Sequence, residues 1–149
     1  MEGNRQPADD INWNHAMYAL EKLSESVHIL VTGEGDARSR IRTASRYFFR
    51  VSPSWLPPVG EIRERFETAI SLLTKYPAPS WNDDLREDLR YTDFTYTMTR
   101  IKNVTAARAA SELYCAWLEL SRVYDEHSRE CSAAALREGS HTVFIDDIP

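Results

Sequence analysis

No run of apolar residues in this chain approaches the roughly 20 that a helix needs to cross a bilayer. Its first residues, Met1-Glu2-Gly3-Asn4-Arg5, lack the basic-then-apolar order of a secretory signal. A soluble, cytoplasmic protein with no membrane contact is the expectation. Cysteine is scarce: Cys115 and Cys131 fall in one predicted helix, where sixteen residues separate them by ~24 Å, too far for a disulfide. Free thiols fit a reducing compartment. The four histidines, His15, His28, His127 and His141, are scattered, with no pair at the i, i+4 spacing of a helical zinc site. The acidic pairs Asp83-Asp84, Asp125-Glu126 and Asp146-Asp147 are adjacent residues, which a helix points to different sides. Neither a metal nor a cofactor is expected. Five glycines supply no phosphate-binding loop, because Gly33-Glu34-Gly35 reads as a helix stop followed by a helix start, and no serine stands in a nucleophile-elbow context. Strand-like alternation is missing except, weakly, from His141 to Ile148, and no internal repeat is present.

What remains is helical periodicity punctuated by proline and glycine. Trp13, Ala16, Leu20, Leu23, Val27 and Leu30 recur three and four residues apart, with Asp9, Asp10 or Asn12 as cap and Gly33 placed for a left-handed stop. Asp36 then caps a second helix with Ile41, Ala44, Phe48 and Val51 inward, ended by Pro53, Pro57 and Pro58. A third runs from near Val59 to about Lys75 on Ile62, Phe66, Ala69, Ile70 and Leu73. Ser80 and Asp83 resemble a capping box for a fourth helix beginning at Leu85 and Leu89. Its row changes to Phe94, Met98 and Ile101, which predicts a break near Thr92 or a helix covered on two sides. The last helix carries Ala106, Ala110, Leu113, Trp117, Leu120, Tyr124, His127 and Cys131, is offset from the preceding row near Asn103, and stops at Gly139. A chain of 149 residues can bury roughly two thirds of its unfolded surface without staples. The expected fold is all-α: an up-and-down bundle of four to five helices over residues 1–138, followed by a non-helical, extended C-terminal tail at 139–149. Leu20, Leu23, Val27, Phe66, Leu73, Leu113, Trp117 and Leu120 are its expected core.

Charge is distributed unevenly. The net charge is -5, yet residues 37–50 hold Arg38, Arg40, Arg42, Arg46 and Arg50 and no acid. At ~100° per residue, Arg38, Arg42, Arg46 and Arg50 form a row opposite the apolar face of the second helix, with Phe49 among them. Guanidinium groups beside an exposed ring suit either a protein interface or the phosphates and bases of a nucleic acid. The surrounding acidity disfavours the latter. A solvated face paired with Glu34, Asp36 or the glutamates of the third helix is the alternative.

Two further features point to function. Arg122-Val123-Tyr124-Asp125-Glu126-His127 places four residues between an arginine and a histidine. This resembles the motif of HEPN-family ribonucleases, and the resemblance implies an all-helical, dimeric protein that cleaves RNA through Arg122 and His127. Val123 stands where that family usually has a polar residue. Unless that motif is functional, no catalytic residue is expected. The tail, with Val143, Phe144, Ile145 and Ile148 near two aspartates, suits addition to a partner, and Phe144 and Ile145 join the arginine row as candidate contact residues. Trp55, between Pro53 and Pro57, is expected to lid the core. The expectation is a non-enzymatic helical interaction module, an accessory or adaptor subunit that self-associates or binds a protein partner. Nucleic acid at the 38–50 row and an Arg122/His127 ribonuclease stand as alternatives.

Overall fold

A computed structural model describes residues 10–79 and 89–139. Five α-helices account for most of them, with no strand among the described residues: α1 (Trp13–Thr32), α2 (Ala37–Phe48), α3 (Ile62–Leu73), α4 (Leu89–Met98) and α5 (Asn103–Gly139). The fold is an all-α up-and-down bundle built around α5. Helix α1 runs antiparallel to α5, so that Trp13 meets Tyr124 and His127 at one end while Leu30 meets Ala107 and Ala110 at the other. Helix α3 is also antiparallel to α5, with Gly60 against Glu119 and Arg65 bonded to Glu112. Helix α2 lies beside both α1 and α5 and shares its N-terminal end with that of α5, where Asn103 bonds to Asp36. A single 3-10 turn, Pro53–Trp55, joins α2 to α3.

The core follows the apolar rows closely. Ile41, Ala44, Phe48 and Val51 are buried, as are Ile62, Phe66, Ala69, Ile70 and Leu73 of α3, and Phe94, Met98 and Ile101. Leu23, Val27, Leu113 and Leu120 are buried as expected, whereas Leu20 and Trp117 are only half-buried. The reason for the latter is a rotation of the buried face of α5. Ala109, Ala116 and Val123 are inward together with Ala106, Leu113 and Leu120. The row Ala110, Trp117, Tyr124 instead flanks this face on the α1 side, where Trp117 Nε1 donates to Ser24 Oγ at 2.8 Å. Alanines at 109 and 116 let a neighbour approach where larger side chains would hold it off.

Local chemistry explains the element ends. The Asn12 side chain accepts from the backbone N–H groups of Asn14 and His15, so Asn12 caps α1. Gly33 corrects the expected left-handed stop: its φ is -68° and its ψ 167°, extended backbone that any residue adopts. Glycine is required there for space, since a Cβ would lie 2.5 Å from the Ile29 carbonyl oxygen. Helix α4 runs unbroken through Thr92, and the discontinuity near Asn103 falls between Met98 and Asn103. The buried Thr97 hydroxyl donates to the Tyr76 carbonyl oxygen at 3.1 Å and accepts from the Tyr76 N–H at 3.0 Å, which fixes the exit of α3 against α4. The proposed cap at Ser80 and Asp83, the start of the fourth helix at Leu85, and the tail with Phe144 and Ile145 lie outside the described residues. Among the described residues no helix is long and apolar enough to cross a membrane.

Candidate functional site

Helix α2 is held by its ends, which leaves its outer face free to carry charge. At its start the Asp36 carboxylate accepts from the Ser39 N–H at 2.9 Å and from Asn103 Nδ2 at 3.1 Å, while Asn103 Oδ1 accepts from the Arg38 N–H at 3.0 Å. The backbone N–H of Ser39 first, then the Asn103 amide, hold the Asp36 carboxyl below its ordinary range. Two helix N-termini thus share one carboxylate, which complements the positive end of each dipole. Arg40 stands off the arginine row: its Nε donates to the Gly35 carbonyl at 3.0 Å and its Nη1 to the Leu30 carbonyl at 3.2 Å. Arg40 therefore satisfies carbonyls near the end of α1.

The row itself is different. Arg42, Arg46 and Arg50 are exposed, and among the described residues their side chains make no ion pair or hydrogen bond. Arg38 is half-buried, with an Nε that is closed to solvent yet bonded to nothing. The alternative of a face neutralised by the glutamates of α3 does not match this geometry: Glu61 bonds to Arg65 at 3.3 Å. Of the arginines elsewhere, most are engaged, while the exposed Arg108 and Arg129 of α5 make no ion pair or hydrogen bond among the described residues. Arg63 donates to the carbonyls of Leu56 and Ser54, Arg65 meets Glu61 and Glu112, Arg100 lies over the rings of Tyr76 and Tyr96, and Arg122 meets Glu119 and Glu126. Phe49 corrects the picture of an exposed ring within the row. Helix α2 ends at Phe48, the chain turns, and the half-buried Phe49 ring packs 4.9 Å from that of Phe48 and 5.0 Å from that of Phe94. The surface is guanidinium without an aromatic anchor.

The structure places Arg122 and His127 on different flanks of α5. Arg122 lines a groove of about 660 Å³ on the α3 side with Gly60, Glu61, Arg65, Cys115 and Leu118. It bonds to Glu119 at 2.7 Å and Glu126 at 2.9 Å, and these carboxylates, Glu119 foremost, raise its pKa further. His127 stacks on Trp13, with ring centroids 3.8 Å apart and planes 6° from parallel, and its Nε2 lies 3.6 Å from Cys131 Sγ. Within one copy of the chain the two side chains engage different neighbours, whereas cleavage needs both at one scissile phosphate. Trp55 is half-buried and covers the start of α1 through ring contacts with His15 and Tyr18, the lid expected of it. No group of three His, Cys, Asp or Glu residues among those described is placed to hold a metal ion.

One surface escaped the sequence reading. Val104, Ala107, Ser111, Tyr114 and Leu118 lie exposed along α5, opposite its buried row. Their spacing of three and four residues was available in the sequence, but the stronger inward row of the same helix hid it. No family model matches the chain, and neither a search of curated proteins nor one of solved structures finds a similar protein.

Proposed function

We propose that this protein is a non-enzymatic helical interaction module, a small accessory or adaptor subunit of a larger assembly, and that the outer face of α2 is its docking surface for an acidic protein. The observation that carries this reading is the grouping of Arg42, Arg46 and Arg50 on one helix face, exposed and without a partner among the described residues, where Arg40, Arg63, Arg65, Arg100 and Arg122 are engaged and the other unpaired arginines, Arg108 and Arg129, stand far apart on α5. In a chain with 23 acidic and 18 basic residues, carboxylates are abundant enough to neutralise a surface arginine wherever geometry favours it. Three that no described residue pairs, on one helix face, are available to a carboxylate of a partner, which a guanidinium grips with paired hydrogen bonds. Acidity elsewhere repels the uniform charge of nucleic acid and leaves this face to a partner whose negative charge is local.

The test is a titration with an acidic peptide and with mixed-sequence single-stranded RNA, each at about 50 mM and 200 mM salt, where phosphate-driven binding falls steeply. Arginine-dependent peptide binding, lost in the double variant Arg42→Glu and Arg46→Glu, is the expected result. Binding of RNA alone, with a salt slope that drops by about one per arginine removed, reassigns the surface to nucleic acid. Binding of neither ligand at the lower salt overturns the reading.

A further inference from the structure

The outward face of α5 is unlike the other exposed helix faces. Val104, Ala107, Ser111, Tyr114, Leu118 and Ser121 follow one another at spacings of three and four, within a sector about 100° wide opposite the buried row. Six positions pass without a charge. Val104 is 72 % exposed, Leu118 50 % and Tyr114 44 %. At the end nearest Val104, α1 adds Val31, exposed to a similar degree. Scattered exposed apolar residues need no explanation, but an uncharged row ~25 Å long on the central helix of the bundle does.

The order of side-chain sizes along that row identifies what covers it. The order large, small, small, large, large, small makes the row complementary to itself when reversed. With a second copy of α5 laid antiparallel, related by a two-fold axis midway between Ser111 and Tyr114, Val104 faces Ser121, Ala107 faces Leu118 and Ser111 faces Tyr114. Every bulky residue meets a small one in all three pairs, which is what interdigitation between helices requires. A parallel arrangement would set Leu118 against Leu118 and Tyr114 against Tyr114. Charge agrees with the antiparallel register. Beyond Ser121 the face becomes charged: Arg122 is neutralised by Glu119 and Glu126 of its own helix, and the exposed Asp125 comes level with residue 100 of the second copy, beside the exposed Arg100 and Lys102 and the positive N-terminal end of its α5. The register also sets the course of the far end of α5. After Val123 no described residue is buried, and Leu136, 75 % exposed, lies on the same face as Leu118. Continuing the antiparallel pairing carries this arm past the N-terminal end of α5 of the second copy.

We infer that the protein forms a two-fold symmetric dimer through antiparallel pairing of α5 across Val104, Ala107, Ser111, Tyr114, Leu118 and Ser121. The contact is isologous, so it closes at two copies and leaves the arginine faces of both available. It rests on none of the arginine geometry, and the two readings stand or fall separately.

Sedimentation or light scattering in reducing buffer, from about 1 to 200 µM, reads the dimer directly, a range suited to the micromolar affinity expected of a modest interface. Four proteins are compared: the natural chain, Ala107→Leu, Leu118→Ala, and the double variant. Ala107→Leu sets leucine against leucine and is expected to weaken self-association about tenfold or more, and Leu118→Ala weakens it by lost burial. The double variant exchanges large for small in the same pair and recovers to within about threefold of the natural chain, a non-additivity that only direct contact produces. Circular dichroism confirms that these surface changes leave the helices intact. A natural chain that stays monomeric throughout the range overturns the inference, as does a double variant that is as weak as its two single losses combined.

Discussion

At the scale of single residues, burial separates the side chains that hold the bundle from those that only decorate it. Leu113 and Leu120 are fully buried on the helix against which α1, α2 and α3 all pack. Truncation to alanine removes transfer energy and leaves a cavity that stiff neighbouring helices cannot close, so Leu113→Ala and Leu120→Ala should each cost about 2–5 kcal/mol by urea unfolding. A loss below about half a kcal/mol would show that α5 is not the centre of the core. Phe49 shows how one turn changes a residue's meaning. From the sequence its helical angle sits among the arginines, and its removal would be expected to weaken partner binding. Because α2 stops at Phe48, the ring instead contacts Phe94, and Phe49→Ala should lower stability by about 1–3 kcal/mol, less than for a fully enclosed ring. The helical-wheel argument fails at such positions because it presumes that the helix continues.

At the scale of helices, much of the architecture was legible because each inward row is long and its ends are marked. The faces of α2 and α3 could be read residue by residue, since each packs mainly one side of a short helix against the core. Helix α5 was legible in extent but not in rotation. Neighbours on two flanks half-bury Trp117 and Tyr124 on one side and Glu112 and Glu119 on the other, so residue size stopped reporting depth, and the deepest positions include Ala109 and Ala116. The clamp between α2 and α5 was invisible for another reason: Asp36 and Asn103 are 67 residues apart in sequence, and a cap shared between two helices leaves no local periodicity. The clamp has a pH signature. Hydrogen bonds from Ser39 and Asn103 depress the Asp36 carboxyl in the folded state below its unfolded value of about 3.9. The folded state therefore binds this proton less readily, and the resulting stabilisation is complete well above pH 4 and is lost as the pH falls through the folded-state value. Asp36→Asn keeps an oxygen to cap Ser39 but removes the charge. The difference in urea midpoint between the natural chain and this variant should shrink as the pH is lowered from about 6 to below about 3, within the titration range of a depressed carboxyl. A difference that is constant across this range would show that the carboxylate charge plays no part in the clamp.

At the scale of the whole molecule, two exposed surfaces of opposite chemistry lie on different helices, and salt distinguishes them. The arginine face of α2 acts through charge on flexible, solvated side chains, which accelerates encounter more than it slows escape. Raising ionic strength from about 10 mM to 150 mM shortens the screening distance from ~30 Å to ~8 Å, so the association rate with an acidic peptide should fall steeply while the dissociation rate changes little. Arg42→Gln and Arg46→Gln should reproduce this selective loss at low salt and flatten the salt dependence that remains. The α5 row carries no charge over six positions, and an excluded salt such as sulfate strengthens the burial of apolar surface. Self-association through it should therefore hold or tighten under the conditions that release the acidic peptide. Measuring both equilibria on one preparation across the same sulfate series tests the assignment of each surface. Parallel weakening of the two would place arginine contacts within the self-association interface and collapse the two surfaces into one. A peptide association rate insensitive to salt would remove the electrostatic role given to Arg42, Arg46 and Arg50, because unpaired guanidinium groups in water have no other long-range means of attracting a partner.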